Sequence, residues 1–310
     1  MRHSRCWLRT AALLILASGC VAAQSGQGTA PALRVYTSEG KLSSLDEIVA
    51  AMGAAEVVFI GETHDNAAAH WAELRLLESA YARYGAASAT ASAMQVVLSL
   101  EMFERDVQVV LDEYLAGHIT ESRFLADSRP WKNYETDYRP LVEFARAHQL
   151  PVIAANAPER YVNRAARLGP DSLRQLSQEA KRWLAPLPYA QASAAYAAKF
   201  KRAMGGHAAA PGAHGNPFSL EAQALRDATM AHSIAEQLRT RERALVLHMN
   251  GSFHSEGGLG VPEHLLGYRA GARTLVVTIL PAGAARPADA GGFKALGDFV
   301  VVTGPGSVAP

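Results

Sequence analysis

A series of short, nearly continuous apolar runs constrains this chain more than any other feature. They lie at Leu33 to Tyr36, Glu56 to Gly61, Gln95 to Glu101, Leu150 to Asn156, Ala244 to Met249, Thr274 to Leu280 and Phe299 to Thr303. A strand with one wet face alternates apolar and polar residues, whereas an unbroken apolar run belongs to a strand covered on both faces, as in a parallel sheet. Amphipathic stretches fill the gaps. His70, Leu74, Leu77, Tyr81 and Tyr84 share one helical face, with Asp65 or Asn66 placed to cap its start, and Pro140 opens a second helix whose stripe is Leu141, Phe144, Ala145 and His148. The alternation predicts an α/β fold with a largely parallel central sheet flanked by helices.

Residues 158–240 contain no convincing strand and are rich in Ala, Arg, Leu and Gln, so an all-helical subdomain is expected there, inserted between two parts of an α/β domain at 33–157 and 241–303. Within it, Met204 to Asn216 (MGGHAAAPGAHGN) reads as a loop. With 310 residues, 49% of them hydrophobic and 19% charged, the chain has material for a sizeable core. Its 30 Lys and Arg against 29 Asp and Glu leave no basic surface excess, and nucleic acid is not an expected partner.

The N-terminus has the layout of a secretory signal over residues 1–23: Arg2, Arg5 and Arg9, then the apolar Ala11 to Ala17, then small residues. Two cleavage readings compete. Leu16-Ala17-Ser18-Gly19-Cys20 is similar to a bacterial lipobox, although Ala17 stands where Leu is usual, and Val21-Ala22-Ala23 offers ordinary cleavage before Gln24. The lipobox is favoured because the other cysteine, Cys6, is lost with the signal, which leaves Cys20 for lipidation. Residues 24–32 then form a tether that holds the domain at the membrane. Val21 after the cysteine resembles the pattern sorted to the outer membrane; cleavage before Gln24 would leave the protein periplasmic.

One run ends abruptly. VVFIGETHDN passes from apolar residues to Gly61, Glu62, Thr63 and His64, and in extended backbone Glu62 and His64 point to the same side while Gly61 leaves the approach open. Near the C-terminus ALVLHM leads into Asn250 and then Gly251-Ser252-Phe253-His254, a second Gly-x-x-His at a strand exit, and a third run ends on Glu101. Ligands of open α/β sheets bind where strand carboxyl ends converge, so Glu62, His64, Glu101, His248 and His254 are expected to share one site. Such a set suits either a divalent metal, with Glu62, His64, His248 and His254 as ligands, or acid/base catalysis by Glu62, His64, Glu101 and His254. His248 sits within an apolar strand and also reads as a satisfied core residue. Asp227, in line with the apolar stripe of Leu220, Ala224, Ala231, Ile234 and Leu238, must be paired or line a cavity, and structural pairing, for example with an Arg of the helical subdomain, is the expected account.

Five stretches in order, GETHDNAAAHWAEL, LSLEMFERDVQ, WKNYETDYRPLVEFARAHQLPVIAANAPERYV, AQALRDATMAHSI and LHMNGSFHSEGGLGVPEHL, resemble the ChaN-type haem-binding lipoproteins. That group is similar to the Tiki metalloproteases and erythromycin esterases, whose sites use paired Gly-x-x-His motifs and acids. By resemblance Glu62, His64, Glu101 and His254 match site positions, and the implied role is binding haem, between two copies in a homodimer, for iron uptake at the bacterial envelope. No motif identifies the axial ligand. Haem iron accepts Tyr or His, so Tyr134, Tyr138, Tyr161, Tyr189, Tyr196, His207 and His214 are all admissible, while Trp131 and Tyr138 also read as packing residues. Two function classes remain: a haem-binding envelope lipoprotein, and a metal-dependent esterase or peptidase working from the strand ends.

Overall fold

The structure is a computed structural model that describes residues 30–85, 93–204, 216–241, 243–283 and 290–304. The signal, Cys20, most of the tether, and His207 and His214 lie outside the described residues. Eight strands make one sheet: β1 (Leu33–Thr37), β2 (Leu42–Ser43), β3 (Val57–Glu62), β4 (Gln95–Glu104), β5 (Val152–Asn156), β6 (Ala244–Gly251), β7 (Thr274–Pro281) and β8 (Phe299–Thr303). Their order is β2-β1-β8-β7-β3-β6-β4-β5, and every pairing is parallel except those of β1 with β2 and with β8. Each expected strand forms. Late in the chain, β6 returns to lie between β3 and β4, which brings the ends of all three side by side.

Helices cover both faces. Before β5 come α1 (Leu45–Met52), α2 (Ala67–Tyr84), α3 (Gln108–Leu115), α4 (Glu121–Ser128) and α5 (Arg139–Ala147). Between β5 and β6 come α6 (Glu159–Leu168), α7 (Gln178–Lys181), α8 (Ala194–Ala203) and α9 (Ser219–Thr240); α10 (Val261–Tyr268) and α11 (Ala290–Lys294) follow. Asn66, not Asp65, caps α2, its Oδ1 accepting from the Ala68 and Ala69 amides at 3.2 and 3.3 Å. Pro140 stands in the first turn of α5, where its missing amide proton costs nothing. A single π turn, Tyr134–Tyr138, precedes α5 and aims the residues between α4 and α5 at the end of β3.

Because side chains alternate along a strand, the sheet separates two cores. Val58 and Ile60 of β3 and Leu98 and Leu100 of β4 pack with Ala69, Ala72 and Leu76 of α2 and with α5. Val57, Phe59 and Val97 face the other way, against Met230, Ala231 and Ile234 of α9 and Val261 and Leu265 of α10. The helical segment has a small core of its own, in which Val162 and Ala165 of α6 meet Leu173, Leu184 and Leu225. It is nonetheless joined closely to the sheet, since α9 lends its first half to that core and lays its second half on the strands.

Candidate functional site

The alternation that divides the cores also divides the expected site. Glu62 shares parity with Val58 and Ile60 and emerges on the α2 face; Glu101 shares parity with Val97 and emerges on the α9 face. The strand-end acids and imidazoles therefore form two groups, with His64 at the join.

On the α2 face, Glu62 is enclosed. Its Oε1 accepts from His64 Nδ1 at 2.8 Å and from the Tyr138 hydroxyl at 2.7 Å, and its Oε2 lies 3.0 Å from His70 Nδ1. The same His70 nitrogen is 3.2 Å from Glu73 Oε2, and His70 Nε2 faces the His64 carbonyl oxygen at 3.2 Å and Asp137 at 3.5 Å. Asn133 ties this together by donating to the His64 carbonyl and to Asp137. Burial alone would raise the Glu62 carboxyl, but His64, His70 and Tyr138 outweigh it and lower the pKa to about 2. Burial likewise opposes charge on His70, yet Glu62 and Glu73 raise it to about 10. For Glu73, burial and then the Glu62 charge push the carboxyl up to about 8 against the pull of His70. The three groups titrate together, the imidazole being drawn toward its charged form and the Glu73 carboxyl toward its neutral one.

On the α9 face the groups look onto a cleft of about 420 Å³ lined by His64, Glu101, Glu104, Trp131, Asn156, Glu159, Gln223, Arg226 and His254. Glu101 Oε2 accepts from the Gly251 amide at 2.7 Å, and its Oε1 is 3.3 Å from His254 Nε2. His254 Nδ1 is held at 2.5 Å by Asp227, which is fully buried on α9, and Gln223 approaches Nε2 at 3.2 Å. Burial disfavours charge on His254, but Glu101 and Asp227 prevail and raise its pKa; His64 is raised in the same way, burial being outweighed by Glu62 and Glu101. The His64 side chain is 46% exposed, with Trp131 edge-on at 4.8 Å.

The two motif glycines have structural reasons. A Cβ on Gly251 would stand 2.6 Å from His64 Cε1, so only glycine lets that imidazole lie across the end of β6. Gly61 does not leave an approach open as expected; a Cβ there would meet Ser252 Cα at 2.9 Å, because the turn after β6 closes against it.

Several expectations are corrected. His248 is not gathered with the other proposed metal ligands: its Nδ1 contacts Ser99 Oγ at 2.9 Å, its ring is edge-on to Phe59, and burial followed by the His254 charge lowers it to about 3, so it is a neutral core residue. Asp227 pairs with His254 and not with an arginine. Trp131 lines the cleft. Among the described residues, the His and carboxylate group whose ligand atoms lie within 4.8 Å of one another is Glu62, His70 and Glu73. Sequence reasoning places His70 in a packing stripe and passes over Glu73, although a His and an acid three residues apart just behind a helix cap is a readable signal; Asp137 and Gln223 carry none.

Of the haem-ligand candidates, Tyr134 and Tyr196 are buried, Tyr138 is bound to Glu62, and the buried Tyr189 hydroxyl donates to the Glu221 carbonyl at 2.9 Å. Tyr161 is partly exposed in the first turn of α6, with the Arg160 guanidinium 4.4 Å from its ring centre.

No curated protein matches the chain. Among solved structures, a ChaN of Campylobacter jejuni described as showing cofacial haem binding superposes with a TM-score of 0.63 at 15% identity, covering 87% of this chain and 96% of that one, a likeness of fold. The type III effector HopBA1 (10% identity, 85% and 94% covered, TM-score 0.45) and an open-conformation mutant of the erythromycin esterase EreC (13%, 88% and 83%, 0.46) are too distant to inform the site. The family model described as haem-binding uptake, Tiki superfamily, ChaN matches residues 48–265, from α1 through both Gly-x-x-His motifs to α10, and the chain belongs to that family.

Proposed function

We propose that this protein binds haem at the bacterial envelope, anchored through Cys20 at the outer membrane, and serves haem or iron uptake. The observation that carries the reading is the family match over residues 48–265. The N-terminal pattern and the Cys20 lipobox support the location, and the family's description supports the uptake role. For the iron, Tyr161 is the best-placed oxygen ligand among the described tyrosines. Of the five candidate tyrosines it is the partly exposed one, and it stands two residues after the Glu159 that lines the cleft, with the Arg160 guanidinium 4.4 Å from its ring centre. Haemin titration is expected to give a saturable Soret shift whose position changes in Tyr161→Phe. A spectrum of free haemin alone would reject haem binding, and a change in His64→Ala but not in Tyr161→Phe would move the ligand to the cleft imidazole.

A second reading is favoured by one observation. His254, oriented at Nδ1 by the buried Asp227 and in contact at Nε2 with Glu101 on the cleft wall, is arranged as a general acid or base for hydrolysis of an ester or amide. An ester and amide screen of wild type beside His254→Ala tests it; wild-type turnover that His254→Ala retains would reject the assignment.

A further inference from the structure

Glu73 is fully buried on α2, and its Oε1 has no hydrogen-bond partner. A carboxylate oxygen without a partner in a dry interior is costly, so a native fold that keeps one there calls for an explanation in what else could occupy the spot. Its surroundings supply the explanation. Glu73 Oε2 and Glu62 Oε2 approach the same His70 nitrogen at 3.2 and 3.0 Å, and all three residues offer ligand atoms within 4.8 Å of one another. Ligand atoms around a tetrahedral ion with bonds of about 2.0 to 2.1 Å lie roughly 3.3 Å apart, close to these separations.

We propose that Glu62, His70 and Glu73 form a buried site for a first-row divalent cation on the α2 face of the sheet, separate from the cleft. The charges match. Two carboxylates and a neutral imidazole cancel a doubly charged ion and leave no net charge in the interior. The surrounding shell is built. His70 Nε2 donates to the His64 carbonyl and faces Asp137, which fixes the ring with Nδ1 toward the carboxylates; Tyr138 holds the second oxygen of Glu62. Ligating histidines are oriented in this way by a carbonyl or carboxylate on the other nitrogen. Glu62 is 1% and His70 6% exposed, so the ion would be shielded from water, with His64 between it and the cleft. The set differs from the four strand-end residues expected from sequence, of which it keeps Glu62 alone.

The test uses metal-free protein without haem, titrated in a calorimeter with Zn²⁺ alone and with Mn²⁺ alone, so its result is independent of haem binding. Wild type and His254→Ala are expected to bind one equivalent of at least one ion, and Glu73→Gln, which keeps the side-chain shape, to bind at least about 100-fold more weakly, beyond the loss typical of an outer-shell change. Glu62→Gln repeats the test from a second ligand should the first variant not fold. The ion is also expected to raise the melting temperature of wild type and not of Glu73→Gln. Absence of binding by wild type, affinity unchanged in the Gln variants, or affinity lost in His254→Ala would each overturn the proposal, the last by placing the ion in the cleft.

Discussion

The two faces of the sheet end in the same residue types and treat them in opposite ways. On the α2 face, Glu62, His70, Glu73 and Tyr138 are sealed under helices, and each charge is balanced by a neighbour at about 3 Å. On the α9 face, Glu101 and His254 are also buried and paired but line the wall of a cleft, and His64 at its edge is half exposed. An acid or imidazole at a strand end is thus not informative by itself. What decides its role is how completely helices close over it, because desolvation turns a mutual interaction into a stability requirement, while a group on a cleft wall can also meet a ligand that enters from solvent.

The largest expected effect follows from that contrast. Glu62→Ala removes the acceptor of Tyr138 and His64 and leaves His70 Nδ1 with Glu73 alone, and it is expected to cost about 3 to 5 kcal/mol in urea unfolding. His64→Ala, at the half-exposed join, is expected to cost under about 1 kcal/mol. Equal losses would mean that the cleft is as structural as the enclosed group.

A pH series of the metal-free protein sharpens the comparison. Glu62 is lowered from its ordinary 4.5 to about 2, so its contribution is full above 4.5 and is lost as pH falls toward 2. His70 is raised from 6.5 to about 10, so its contribution is full below 6.5 and is lost as pH rises through 10. Glu73, raised from 4.5 to about 8, binds its proton more tightly when folded, and stability falls between those values. His248, lowered from 6.5 to about 3, adds stability as pH rises between those values and offsets the Glu73 decline there, so stability is expected to hold from about 4.5 to 6.5 and to fall above, and Glu73→Gln to flatten that fall up to 8. A wild-type maximum above pH 7 would contradict the enclosed imidazolium.

The smallest effect concerns one proton in the cleft. Asp227→Asn removes a charge that holds the His254 pKa up against burial, and an NMR titration of the ring is expected to move downward. An unmoved titration would show that Asp227 does not tune His254.

Much of this was written in the chain itself. The unbroken apolar runs named every long strand, Asn66 and Pro140 marked helix starts, and the two Gly-x-x-His motifs pointed to the strand ends, because hydrophobic periodicity and capping are local properties. The five ordered stretches likewise carried the family. Tertiary structure alone decided the rest. That β6 lies between β3 and β4 is a matter of long-range pairing, and it sets His254 beside Glu101 and lays His64 across Gly251. Which face each acid meets follows from parity along strands whose far neighbours the sequence does not name. So His248 fell into the α9-side core, Glu62 passed to the opposite face from Glu101, and His70 turned from a member of a packing stripe into a charged partner, with Glu73, of a residue at the end of another element. Burial, which shifts a pKa or completes a site, is a sum over contacts distant in the chain, and only the folded arrangement carries it out.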